Sequence, residues 1–102
     1  MKEQGANMKV WAMIKTDDHI VRDTLFDVGY AKRGDVQDWP ALVGEACHAL
    51  DLARPVILRK HLHDISAFSR VVFKPDDFME QVVFDRFEIE ILFDKKADAK
   101  NK

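Results

Sequence analysis

A single cysteine, Cys47, stands in the 102-residue chain, which excludes any internal disulfide. The simplest setting for such a chain is a reducing cytoplasm. No apolar run approaches the ~18 residues of a membrane span, and the N-terminus lacks the apolar segment of a secretory signal. Neither sign of charge is in excess: 16 basic and 18 acidic residues give a net charge of −2. That balance argues against a strong electrostatic grip on nucleic acid, which would need a basic face. Glycine is scarce, at four residues, and none has the spacing of a phosphate-binding or calcium-binding loop. No repeat, low-complexity tract or interdomain linker interrupts the sequence, and no cofactor is expected.

Residues 85–93 carry the clearest positive signal. Phe87, Ile89, Ile91 and Phe93 alternate with Arg86, Glu88 and Glu90. Successive strand residues point to opposite faces, so the segment reads as a half-buried antiparallel strand. Near the N-terminus, residues 9–15 form an apolar run, 16–19 a polar turn, and 20–27 a second β-favouring run, which together predict a hairpin. The first of these strands is apolar on both faces, with Val10, Ala12 and Ile14 on one and Trp11 and Met13 on the other. Residues 29–37 read as a loop.

Asp38 is a plausible helix N-cap, with Pro40 tolerated in the first turn. Trp39, Leu42, Val43, Ala46 and Leu50 then recur at helical spacing, and Arg54-Pro55 ends the helix. After an extended lead-in at 55–57, a second helix to about Phe68 places Ile57, Leu58, His61, Leu62, Ile65 and Phe68 in one stripe, with Lys60 and Asp64 paired on the solvent side. Residues 70–73 are short and β-favouring, Phe78 and Met79 are expected to tuck against the core, and the last strand begins between Val82 and Asp85.

The expected architecture is a single α+β domain: one antiparallel sheet, built from the hairpin and two C-terminal strands, with two helices packed on one face. The domain is expected to span 8–94, with residues 1–7 as a loose leader (Met8 being an alternative start) and 95–102 as a disordered polar tail. A chain of this length buries roughly two thirds of its unfolded surface, enough for one core. The predicted core holds Val10 or Trp11, Leu25, Leu42, Val43, Ala46, Leu50, Leu58, Leu62, Ile65, Phe68, Phe87, Ile89 and Ile91.

Several residues invite a chemical reading. His61 and His63 resemble paired metal ligands, with His19, Asp76 and Asp77 as further donors. On a strand the two imidazoles share a face; on a helix they diverge by about 200°, His61 inward and His63 to water. Cys47 and His48 are adjacent, and a Cys47–His61 dyad across two helices is conceivable, but a small buried hydrophobe is the better account of Cys47. Asp76, Asp77 and Glu80 form an acidic cluster suited to a helix N-terminus. Glu88 and Glu90 alternate with core residues as on a solvated sheet face, with Arg22 or Arg70 as cross-strand partners. Arg54, Arg59, Lys60 and His63, and separately Lys32 and Arg33, read as solvated charge.

No motif names an activity. The leading expectation is a non-catalytic cytoplasmic interaction module that pairs with itself or with a protein partner through Trp11 and Met13, the surplus apolar residues of the first strand. The alternative is a metal-dependent or small-molecule enzyme using His61, His63 and acidic loop residues. Nucleic-acid and membrane partners are not expected.

Overall fold

β1 (Met8–Thr16) and β2 (His19–Asp27) form the expected hairpin. The computed structural model describes residues 8–29 and 36–93; the expected leader, the polar tail, Lys32 and Arg33 lie outside them. Two residues, Asp17 and Asp18, connect the strands with φ of 54° and 66°. Left-handed backbone at both positions is the tight-turn pattern whose twist suits paired strands, and aspartate tolerates it better than most side chains. The turn is tied to the far end of the chain. The Asp17 N–H donates to Asp85 Oδ2 at 2.7 Å, and Asp18 Oδ1 accepts from Arg86 Nη2 at 3.0 Å.

β4 (Arg86–Phe93) pairs with the other side of β1, and β3 (Arg70–Phe73) pairs with β4, so the antiparallel sheet has the order β2-β1-β4-β3. The period-two pattern of β4 places Phe87, Ile89 and Ile91 on one face, beside Val10, Ala12 and Ile14 of β1 and Val71 and Phe73 of β3. Two helices, α1 (Trp39–Ala49) and α2 (Arg59–Phe68), pack on that face as expected. Leu42, Val43, Ala46 and Cys47 of α1, Leu50 just beyond it and Ile65 of α2 complete the core. Phenylalanines fill the end under the last loop: Phe73 stacks on Phe87 at 6.0 Å, and Phe78 meets Phe84 edge-on at 5.4 Å. Neither helix is long and apolar enough to cross a membrane.

Local signals set the helix ends. Asp38 Oδ1 accepts the Ala41 N–H at 3.0 Å, and Pro40 occupies the first turn, where an N–H has no helical partner. α1 stops earlier than Pro55 demands. Asp51 takes φ of 56°, its N–H donates to the His48 carbonyl, and the Leu52 N–H donates to the Cys47 carbonyl at 2.8 Å. This is a Schellman stop with aspartate in the usual glycine position. Ser69, with φ of 62°, ends α2 and leads directly into β3.

Four core expectations are overturned. Leu25 is 55% exposed because it sits on edge strand β2, on the face away from the helices. Leu58 and Phe68 are exposed, and Leu62 is half-buried. Both exposed residues flank a helix that backs onto a four-residue strand, so only its central turn, with His61 and Ile65, meets the sheet. Met79 is exposed too, while its neighbour Phe78 tucks in as expected. Met8, Ile14, Phe73 and Phe84 are buried without having been foreseen.

The Asp38 cap is exposed, so its removal tests local helix stability alone. Asp38→Ala is expected to lower the unfolding free energy by about 1 kcal/mol in a urea titration, with the native far-ultraviolet circular dichroism retained.

Candidate functional site

The sheet has a second face, opposite the helices. Trp11, Met13 and Lys15 of β1 lie there beside Glu90, Glu88 and Arg86 of β4, with Val72 and Arg70 of β3 beyond. Glu88 was expected in solvent, yet it is 2% exposed. Three cations close over it. Oε1 accepts from Lys15 Nζ at 3.1 Å and Arg70 Nη2 at 3.0 Å, and Oε2 accepts from Arg86 Nε. The long stems of these side chains keep water off the carboxylate while their charged heads reach it. Arg70 is the cross-strand partner the sequence suggested; Arg22 makes no ion pair with either glutamate among the described residues.

Burial alone pushes the Glu88 carboxyl pKa up, but the hydrogen bonds from Arg86 and Lys15 and the charges of Arg70 and Lys15 outweigh it, so the net shift is below the ordinary glutamate range. A carboxylate held ionised in this way is a poor proton donor. Its role is to tie β1, β3 and β4 together on the face opposite the helices.

His61 and His63 are not brought together. His61 is buried against Phe73, ring centroids 4.4 Å apart. Its Nδ1 accepts the Leu58 N–H at 2.9 Å, which places the ring proton of the neutral form on Nε2, 3.4 Å from Asp77 Oδ2. Asp77 in turn accepts the Lys74 N–H at 2.9 Å and so closes its own 3-10 turn, Pro75–Asp77. His63 points to solvent, beside Asp64 at 3.5 Å and edge-on to Phe68. Asp64 thus lies against His63, and the expected Lys60 pair is not formed. Among the described residues no group of three or more histidine, cysteine or carboxylate side chains is gathered to hold a metal. Asp76 and Glu80 are exposed.

Cys47 belongs to the core cluster. Burial raises its thiol pKa to about 11, with Arg54 pulling in the opposite direction. His48 is exposed, and no hydrogen bond joins Cys47 to His61. The Arg54 guanidinium lies across α1 at Gly44, where a Cβ would sit 2.1 Å from Nη2. Glycine makes room there for the arginine.

Met13, expected at a partner interface, is buried within the single chain. Trp11 is half-buried, and its indole N–H donates to Asp23 Oδ2 at 2.8 Å. Exposed apolar residues within the sheet lie further out, at Ile20, Val21 and Leu25 of β2; Val56, Leu58, Phe68, Met79 and Val83 are exposed elsewhere. The register shifts between Ile14, opposite Arg22, and Lys15, opposite Ile20, so Val21 is an extra residue in β2. Such a bulge turns Val21 and Arg22 toward the same side. Both line an open cleft of about 360 Å³, with Leu50, Leu52, Val82 and Val83 among its apolar walls. Sequence alone did not locate this exposure, because it depends on which strand forms the sheet edge.

Two measurements follow from the buried groups. A carboxyl with a lowered folded pKa contributes stability above its unfolded pKa and loses it as pH falls through the folded one. Glu88→Gln is therefore expected to lower stability by about 2 kcal/mol at neutral pH, and the gap to the natural protein is expected to close below about pH 4.3, as read by urea titrations across pH. The Cys47 thiol is expected to resist a thiol reagent in the native protein at mildly alkaline pH and to react once the chain is denatured. Comparison with known proteins adds no relative to these observations: no family model, no curated protein and no solved structure matches the chain.

Proposed function

We propose that the protein is a small non-catalytic interaction module that self-associates as a homodimer through the β2 side of its sheet. One observation carries the reading. β2 is a nine-residue edge strand, and Ile20, Val21 and Leu25 on it are exposed. An edge strand presents unpaired N–H and C=O groups that a further strand satisfies. Exposed apolar side chains beside that edge add a hydrophobic gain when they are covered. Two-fold pairing of like surfaces is the commonest arrangement for a soluble oligomer. Trp11, tethered to Asp23, extends the same surface inward.

Most of the groups best suited to chemistry are engaged or masked, His61 Nε2 being a buried nitrogen without a hydrogen-bond partner, and this supports a non-catalytic role. Glu88 is saturated by cations, His61 Nδ1 is committed to the Leu58 N–H, and the Cys47 thiol is buried and raised. A buried cysteine without a disulfide fits a cytoplasmic setting. Balanced charge favours a protein partner over nucleic acid.

Sedimentation over a wide concentration range tests the proposal. The expected result is a mass approaching two chains at high concentration. Leu25→Asp is expected to shift the protein to a monomer with unchanged circular dichroism, since the side chain it replaces is exposed. A natural chain that stays monomeric at every concentration would sink the reading.

A further inference from the structure

The geometry points to a specific way for two copies to join: β2 pairs antiparallel with β2 of a second copy, with Thr24 on the two-fold axis. The inference rests on the self-association proposed above and adds its register. The starting point is the direction of the backbone groups. The Val28 N–H donates to the Met8 carbonyl at 3.3 Å, in line with a ladder that sets Val10 opposite Phe26 and Ala12 opposite Thr24. Antiparallel hydrogen-bonded pairs recur at every second residue, so Thr24 and Phe26 direct their N–H and C=O toward β1. Asp23, Leu25 and Asp27 direct theirs outward, to the open edge.

A two-fold axis perpendicular to the sheet keeps each face aligned with itself. It therefore places one residue of β2 opposite its own copy, and side-chain chemistry selects which one. An axis at Arg22 sets arginine against arginine, and an axis at Asp23 sets aspartate against aspartate. An axis at Leu25 sets Asp23 against Asp27. Like charges directly opposite are destabilising. An axis at Phe26 leaves only residues 25–27 inside both strands, because β2 ends at Asp27. The bulge at Val21 interrupts the ladder on the other side.

An axis at Thr24 avoids all of these conflicts. Thr24 meets Thr24, Asp23 meets Leu25, and Arg22 meets Phe26. The outward groups of Asp23 and Leu25 then face each other as hydrogen-bonded pairs. Arg22 and Phe26 lie on the helix side, where the guanidinium of one copy can rest on the ring of the other. The product is a continuous sheet of two four-stranded halves with all four helices on one side.

Thr24 in this register is a non-hydrogen-bonded pair with its own copy, with Cα atoms about 4.5 Å apart, a separation compatible with a disulfide. Thr24→Cys is expected to form a covalent dimer under mild oxidation with oxidised glutathione, seen on a non-reducing gel. Asp27→Cys places its sulfurs many residues apart and is expected to stay unlinked, as is the natural chain, whose Cys47 is buried. Leu25→Pro supplies an independent check. Its N–H faces away from β1, so proline is tolerated on the edge, and the variant is expected to sediment as a folded monomer. A natural dimer in which Thr24→Cys fails to crosslink, or in which Asp27→Cys links as readily, overturns the register while leaving self-association intact. A natural chain that is monomeric throughout overturns both.

Discussion

The pairing of β1 with β4 is the constraint on which the rest depends. It brings residues 8–15 against residues 86–93, nearly the whole chain apart. A two-stranded hairpin is marginal alone in water, so β1 and β2 need this third strand. The same pairing lines up Val10, Ala12 and Ile14 with Ile91, Ile89 and Phe87 to make the floor on which both helices rest. On the reverse side it delivers Lys15 beside Arg86 and sets Met13 against Glu88. The turn at Asp17 and Asp18 fastens to Asp85 and Arg86 at the edge of this contact.

The ion cluster around Glu88 shows how a sheet can protect the face opposite its helices. Taking one carboxylate out of water is costly unless its lone pairs are filled. Here three donors fill them, and two of the three come from other strands. Arg86 also holds Asp18, so the network runs from the hairpin turn to the edge strand β3. It favours this strand alignment over one slipped by a residue, which would expose the glutamate's partners to the core.

Local signals were legible in the sequence and pair relations were not. The alternation of Phe87, Ile89 and Ile91 gives β4; Asp38, Pro40 and the stripe from Leu42 to Leu50 give α1; two β-favouring runs around Asp17 and Asp18 give the hairpin. Each depends on residues close in the chain. The burial of Glu88 depends on Lys15 and Arg70, strands away, and no periodicity reports that. Leu58 and Phe68 fit the helical stripe, yet the strand behind α2 is too short to cover them. Trp11 and Met13 were singled out for being apolar on a second face; the fold closes over Met13 and leaves Ile20, Val21 and Leu25 of β2 exposed instead. His61 was read as inward-facing on a helix, and its place against Phe73 agrees with that geometry.

The bulge at Val21 has a meaning for how the protein behaves when crowded. A long, regular, uninterrupted border invites stacking without end, as in fibrils. The extra residue breaks the regular spacing of that border, and the opposite border is a four-residue strand carrying Arg70. Neither side offers a template that repeats. An edge interrupted in this way is one of the devices by which sheets discourage open-ended addition of identical chains.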